Sequence, residues 1–311
     1  MAGVAVVVWW CGSLRADVLR DVRELSDDHE AYAAELRRRW GGLLSYRYLG
    51  RQFATMDHGA SDDIVTLRHD MRNASGGLLI AALGICAPEG GMSDLEAVPN
   101  PVIHSCQVLD QGRGVARIQV RSEVLKRGRQ FSYSRSRIVD ADEPRRVLAL
   151  TEGQGVAIGR PPEGLEKMDT RSIEVVDSPD LPPLWQVFGG RRRDDGDWEL
   201  DKLAEELASP DAALHLGPQL VILETAALDA AAQAVGSDQL EALSSHVMFL
   251  ARGKTGPFRA SADVTTGDRD LVAARVLLQD QGEDGRAITS ASLQFRQVAR
   301  ERGRRNAEAA R

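Results

Sequence analysis

The feature that most constrains the fold of this chain is an internal repeat, in which one half matches the other at a constant offset of 140 positions. No gap is needed between the first long apolar run and the last strand candidate of each copy. The matched pairs include Gly77 with Gly217, Leu83 with Leu223, Ala87 with Ala227, Arg129 with Arg269, Arg135 with Arg275 and Asp140 with Asp280. A duplication of this length predicts two copies of one folding unit.

Each copy contains one long apolar run followed by strand candidates. The runs at 78–87 and 220–234 are apolar on almost every face, which predicts two buried helices. Alternating patterns then predict strands at 102–110, 115–125, 130–139 and 146–152, and in the second copy at 244–250, 258–264, 270–279 and 287–295. The sequence therefore predicts an α+β fold in which an antiparallel sheet wraps each helix.

The segments around these elements are assigned from local patterns. Short strands are predicted around Tyr46, Tyr48 and Phe53, a strand at 184–188 and a helical insertion at 201–208. A strand at 1–12 and a charged helix at 14–40 precede them. The predicted divisions are a helical N-terminal extension at 1–43, a first copy at 44–160, a linker at 161–180, a second copy at 181–298 and a charged tail at 299–311.

Charge and composition exclude several classes of partner. The net charge of -7 argues against nucleic acid or an anionic membrane surface as the main partner. No stretch approaches the roughly 18 apolar residues of a membrane span, and the apolar N-terminus lacks the features of a secretory signal. Cys11, Cys86 and Cys106 form no pattern, as in a reducing cytosol. We therefore expect a cytoplasmic protein with no metal and no cofactor.

The second apolar run contains one carboxylate, Glu224, which is costly to bury unless it has a partner or a task. Pro218 suits the first turn of this helix, since its missing N–H would have no intrahelical partner there. His215, Leu216 and Gly217 come just before, where free amides and the positive end of the helix dipole stabilise anions. The segment predicts an anion-stabilising helix start with a carboxylate two turns further on.

This arrangement resembles the hotdog fold and, more specifically, the PaaI-like acyl-CoA thioesterases. Members of that family carry an H-G-G motif at a helix start and an acidic residue nine positions after the histidine. His215, Leu216 and Gly217 occupy the motif here, and Glu224 occupies the acidic position. Two departures stand out: Leu216 replaces a glycine, and the first copy has Ser75-Gly76-Gly77 but Gly84 at the acidic position. The resemblance implies a tandem double hotdog with a working site in the second copy and a degenerate one in the first.

The resemblance also implies a reaction, the hydrolysis of an acyl-CoA or acyl-carrier thioester to the free acid and thiol. Backbone amides would stabilise the oxyanion and a carboxylate would act as base or nucleophile. A homodimer of the whole chain is compatible with this family. The implied roles are the oxyanion hole for Leu216 and Gly217, the base or nucleophile for Glu224, orientation for His215, a position at the shared interface for Asn73, and placement of water for Ser244 and Ser245.

Alternative interpretations remain open at this stage. Glu224 could simply bond a backbone or an arginine of the other copy, and Asn73 could be a turn former. Leu216 and the degenerate first copy favour a non-catalytic acyl-CoA-binding protein. The spacing from Pro218 to Glu224 matches hotdog dehydratases or hydratases, but the histidine of that group should fall near Pro210, where none is present.

Overall fold

The computed structural model describes residues 19–49, 62–87, 96–166 and 174–298. The strand predicted at 1–12, Phe53 and the tail at 299–311 lie outside these ranges. In the N-terminal segment, α1 spans His29–Gly42 and α2 spans Leu44–Leu49.

Each half of the chain contributes a set of strands and one helix that packs beneath them. The first half contains β1 (Asp62–Thr66), α3 (Ile80–Cys86), β2 (Val98–Val108), β3 (Arg117–Arg127), β4 (Phe131–Asp140) and β5 (Val147–Gly159). The second half contains α4 (Leu184–Val187), β6 (Gly190–Arg192), β7 (Trp198–Leu200), α5 (Leu216–Val235), β8 (Leu240–Phe249), β9 (Phe258–Thr266), β10 (Leu271–Asp280) and β11 (Arg286–Gln297).

All the named strands belong to one antiparallel sheet in the order β1-β3-β4-β5-β2-β8-β11-β10-β9-β7-β6. The first half supplies one side of the sheet and the second half the other. They join at the centre, where β2 pairs with β8 from Ile103 opposite Met248 to Gln107 opposite Ser244. Within the sheet, the order of strands from β1 to β2 matches the order from β7 to β8, so the two halves are related as a pseudo-dimer.

The strand register confirms the internal duplication. Glu123 faces Arg135 across β3 and β4, and Asp263 faces Arg275 across β9 and β10 at the same offset. The register between β4 and β5 shifts after Ile138, and the register between β10 and β11 shifts at the equivalent position. A bulge at the equivalent position of both halves indicates the same local twist in each half of the sheet.

The two inner helices differ in length. α5 has 20 residues, is buried from Leu216 to Glu224, and packs against β9, β10 and α3. α3 has seven residues, and the chain before it forms a tight turn in which Gly76 has a φ of 79°. The prediction of a helix at 78–87 is confirmed, and the observed helix is two residues shorter at its start and one residue shorter at its end.

Three local predictions were wrong. Tyr46 and Tyr48 lie in α2 and not in a strand, because Tyr46 is buried against the second half and tertiary packing overrides the β-propensity of tyrosine. The run from Leu184 forms the short helix α4, since periodicity alone does not separate short apolar strands from helices. In the predicted insertion at 201–208, the only helical turn is the 3-10 turn Glu205–Leu207.

Candidate active site

Glu224 lies on α5 with only 3% of its surface exposed. Its Oε1 accepts a hydrogen bond of 2.9 Å from the amide of Ile80, and its Oε2 accepts one of 2.6 Å from the amide of Ala81. These amides belong to the first turn of α3, where N–H groups lack intrahelical acceptors. The carboxylate of the second half therefore caps the inner helix of the first half.

Burial determines the protonation behaviour of Glu224. Loss of solvation raises the pKa of its carboxyl to about 7, while the two amide hydrogen bonds act in the opposite direction. A carboxyl with a pKa near neutrality is populated in both protonation states at physiological pH, as a general base requires.

This raised pKa predicts a pH-dependent stability. The native state keeps a proton that the unfolded chain, with a carboxyl pKa near 4.5, has already lost. As pH rises from 4.5 to about 7, the free energy of unfolding should therefore fall by about 3 kcal/mol relative to Glu224→Gln, and then level off. Urea unfolding of both proteins across this range measures the difference. Parallel pH profiles would contradict the prediction.

A cavity of about 400 Å³ opens beside Glu224 at the junction of the two halves. Ala81 and Leu79 of the first half and Val221 and Thr225 of α5 surround the carboxylate end. The rest of the wall comes from the later turns of α5, the start of β8, the loop before α3, the segment that links the two halves, and β7. Its residues include Leu228, Asp229, Ala232, Leu240, His69, Asp70, Arg72, Asn73, Pro179, Leu181, Pro183, Trp185 and Trp198.

Asn73 lies in this cavity wall and connects the two halves. Its Nδ2 donates to the carbonyl of Leu240 at the start of β8, at 3.0 Å. Its Oδ1 accepts from the amides of Ser75 and Gly77, which holds the loop before α3. Asn73 is thus both a turn former and a contact at the interface, and its contacts position the helix start that Glu224 caps.

The predicted helix-start motif, His215-Leu216-Gly217, lies away from this cavity. None of the three lines the cavity, and Gly217 is about 10 Å from Glu224 along the helix axis, at 1.5 Å per residue. The amide of Gly217 donates to His215 Nδ1 at 3.1 Å, so this amide already has an acceptor. The structure brings Glu224 to the amides of the first half and not to the helix start on its own half.

The N-terminal segment covers the helix start of α5. Ser45 and Tyr46 lie 3.3 Å from the ring nitrogens of His215, and Trp40 contacts its ring edge-on. A Cβ atom added at Gly217 would lie 2.7 Å from Ser45 Cβ, so only glycine fits beneath α2. This end of α5 is therefore filled by side chains of α1 and α2.

The position equivalent to Glu224 in the first half is Gly84. A Cβ atom there would lie 2.9 Å from Leu220 Cδ1 and 3.1 Å from His104 Cε1. A longer side chain at Gly84 would therefore clash with the core. Within the described residues, the carboxylate of one half faces the amides of the other at one end of the helix pair, and apolar packing occupies the opposite end.

The two serines named from the sequence lie on opposite faces of β8. Ser245 faces inward opposite Cys106, and its buried hydroxyl has no hydrogen-bond partner among the described residues. Burial, together with the charge of Glu224, raises the pKa of the Cys106 thiol to about 12. Ser244 bonds Gln294 on the outer face.

Several site residues were not found from the sequence. Ile80 and Ala81 contribute only backbone amides, which any residue supplies, so no sequence signal marks them. Trp185 and Trp198 form an edge-to-face pair with ring centroids 5.0 Å apart. Their clustering depends on the fold of the linking segment, although two tryptophans in a chain with few aromatic residues are a usable signal.

The described ranges contain neither a metal-binding cluster nor a membrane-spanning helix. No group of three histidine, cysteine or acidic side chains in them has the geometry of a metal site. None of their helices is long and apolar enough to cross a membrane.

Comparison with solved structures finds matches at low sequence identity. A protein from Lactobacillus plantarum, named as a candidate oleoyl thioesterase, is 13% identical with a TM-score of 0.54, over 78% of this chain and 98% of that one. The TesB protein from Mycobacterium avium subspecies paratuberculosis is 13% identical with a TM-score of 0.49, over 78% and 96%. The 12:0-ACP thioesterase from Umbellularia californica is 10% identical with a TM-score of 0.49, over 76% and 94%.

No protein-family model and no curated protein matches the sequence. At these identities the likeness concerns the fold, and it confirms the predicted tandem double hotdog. The more specific resemblance to PaaI-like thioesterases stays a prediction.

Proposed function

We propose that this chain hydrolyses acyl thioesters, with Glu224 as the general base. The observation that carries the proposal is a buried carboxyl of pKa about 7 that borders a cavity and contacts the amides of a helix start on the other half. These are the two groups that hydrolysis requires, a base for water and donors for the oxyanion. The proposal also carries to this chain the reaction named for the L. plantarum protein.

The assigned roles differ from those implied by the motif. In the free protein the two carboxylate oxygens of Glu224 accept hydrogen bonds from the amides of Ile80 and Ala81. A substrate carbonyl that takes one of these amides would release one carboxylate oxygen to accept a proton from water. The hydroxide equivalent adds to the carbonyl carbon, and the amide that the substrate oxygen has taken stabilises the oxyanion while the other amide holds the second carboxylate oxygen. When the oxyanion collapses, the C–S bond breaks and the proton on Glu224 passes to the leaving thiolate, which gives acid and thiol. Ser245 is our candidate for holding the water.

Thiol release from acyl-CoA substrates of increasing chain length tests the function. We expect kcat/KM to rise with pH and to level off above about pH 7, because only the deprotonated carboxyl of Glu224 accepts a proton. A profile that is flat between pH 5 and 8 would argue against this base.

A second candidate is a protein that binds acyl thioesters without turnover. The observation that favours it is the engagement of both Glu224 oxygens by backbone amides, an arrangement that also suits a purely structural cap. Acyl-CoA binding without thiol release from any chain length would favour this candidate.

We do not propose hydratase or dehydratase activity. That reaction needs a histidine beside the carboxylate, whereas Pro210 lies against the N-terminal segment, its carbonyl accepting from Val22. His69 lines the cavity, but it lies at the exposed rim with its Nδ1 bonded to Asp177.

A further inference from the structure

The cavity beside Glu224 continues as a groove along one face of α5. Val221, Thr225, Leu228 and Ala232 line it at spacings of three or four residues, which places them in one strip. From Val221 to Ala232 the strip is about 16 Å long at 1.5 Å per residue.

The opposite wall of the groove comes from the segment that links the two halves. Leu181, Pro183 and Trp185 of this segment line the groove together with Trp198 of β7. The segment is attached to the first half by Asp177, which accepts from both the backbone and the ring of His69. The groove is therefore apolar along two walls, one from α5 and one from the link.

Three polar donors in the groove already have acceptors. Trp198 donates its indole N–H to Asp229, Thr225 donates its hydroxyl to the carbonyl of Val221, and Asn73 donates to Leu240. A ligand with several amides, such as a pantetheine arm, would find few partners here and would lose hydrogen bonds to water. A hydrocarbon chain has no such cost.

The cations along the groove are also engaged. Arg72 donates to the carbonyls of Gly76, Gly112 and Val115, and His69 is bonded to Asp177. The groove also contains the carboxylates Asp70, Asp229 and Asp238, of which Asp70 is paired with Arg68 and Asp229 with Arg192. This charge pattern disfavours a phosphate or a carboxylate-ended acyl group within it.

We propose that this groove binds the acyl chain, which extends along α5 from the thioester at Glu224 towards Ala232. The substrates are then uncharged aliphatic acyl thioesters, and the linking segment with its tryptophan pair forms the specificity wall. The kinetic test of this inference rests on the proposed hydrolase function. A separate binding test distinguishes a failure of the groove assignment from a failure of the hydrolase function.

Substitution at the far end of the groove tests the direction of the chain. We expect Ala232→Leu to lower kcat/KM for dodecanoyl-CoA by about tenfold and to change kcat/KM for hexanoyl-CoA by less than about twofold, since only the longer chain reaches this position. Ala234→Leu is the matched control, because Ala234 is exposed on the same helix. It should leave both values unchanged.

Two outcomes would overturn the proposal. Equal losses of kcat/KM for both substrates would indicate that the thiol arm lies in the groove. Unchanged kcat/KM values for both substrates would indicate that the acyl chain binds outside it. If the wild type hydrolyses neither substrate, the test uses non-hydrolysable S-dodecyl-CoA and S-hexyl-CoA, with binding followed by tryptophan fluorescence. Weaker binding of only the dodecyl compound to Ala232→Leu would then support the groove while the hydrolase function fails. Equal binding by both proteins would reject the groove.

Discussion

Replacement of Glu224 by glutamine is expected to lower kcat for acyl-thioester hydrolysis by about a thousandfold, within the range that general bases contribute. Glutamine keeps the shape of the side chain and one acceptor oxygen for the amides of Ile80 or Ala81. It does not accept a proton from water near pH 7. Its NH₂ group would also face an amide donor, which should reduce the free energy of unfolding by about 1–3 kcal/mol.

A matched control separates lost chemistry from lost stability. Glu199 is as buried as Glu224, but it is bonded to Arg191 and Arg193 and does not line the cavity. Glu199→Gln should lower the free energy of unfolding and leave kcat within about threefold. Both variants are assayed below their unfolding transitions with saturating acyl-CoA. If the kcat of Glu224→Gln also stays within about threefold of the wild-type value, Glu224 is a structural cap and not the base.

Replacement of His215 by alanine is expected to affect stability and not catalysis, in contrast to Glu224→Gln. The free energy of unfolding should fall by about 3 kcal/mol, and kcat should be almost unchanged. The ring of His215 is buried, accepts from the amide of Gly217 and packs against Trp40 and Tyr46. Alanine would leave the Gly217 amide without this acceptor and open a cavity beneath α2.

Urea unfolding and steady-state kinetics on the same preparations test this second prediction. His246→Ala is the control, since His246 is exposed on the outer face of β8 and should change stability by less than about 0.5 kcal/mol. A fall in kcat of more than about tenfold in folded His215→Ala would return this histidine to the catalytic role implied by the motif.

Together these variants distinguish the two ends of the helix pair. At one end, Glu224 faces the start of α3 and a cavity. At the other, Gly84 provides no carboxylate and the N-terminal segment covers His215. We therefore expect one acyl-thioester site for each chain, although the fold is duplicated.

The sequence determined much of this arrangement. The constant offset predicted two equivalent units, and the eight strand candidates that follow the two inner helices are confirmed. Their ends shift by up to four residues, except that β5 continues seven residues beyond the predicted 146–152. These predictions succeeded because alternation and helical periodicity depend on neighbouring residues. The same local logic marked Glu224, because a single carboxylate in an apolar helix is costly whatever the surrounding fold.

The tertiary structure decided which groups meet. Glu224 is 144 positions from Ile80 and 143 from Ala81, and no local pattern relates a side chain to backbone amides at that distance. The H-G-G-like motif and the acidic position lie on one helix, but about 10 Å separates them along its axis, so each meets a partner from elsewhere in the chain. Neither partner could be predicted from local patterns, because these contacts arise only when the two halves pack against each other and the N-terminal helices cover one end.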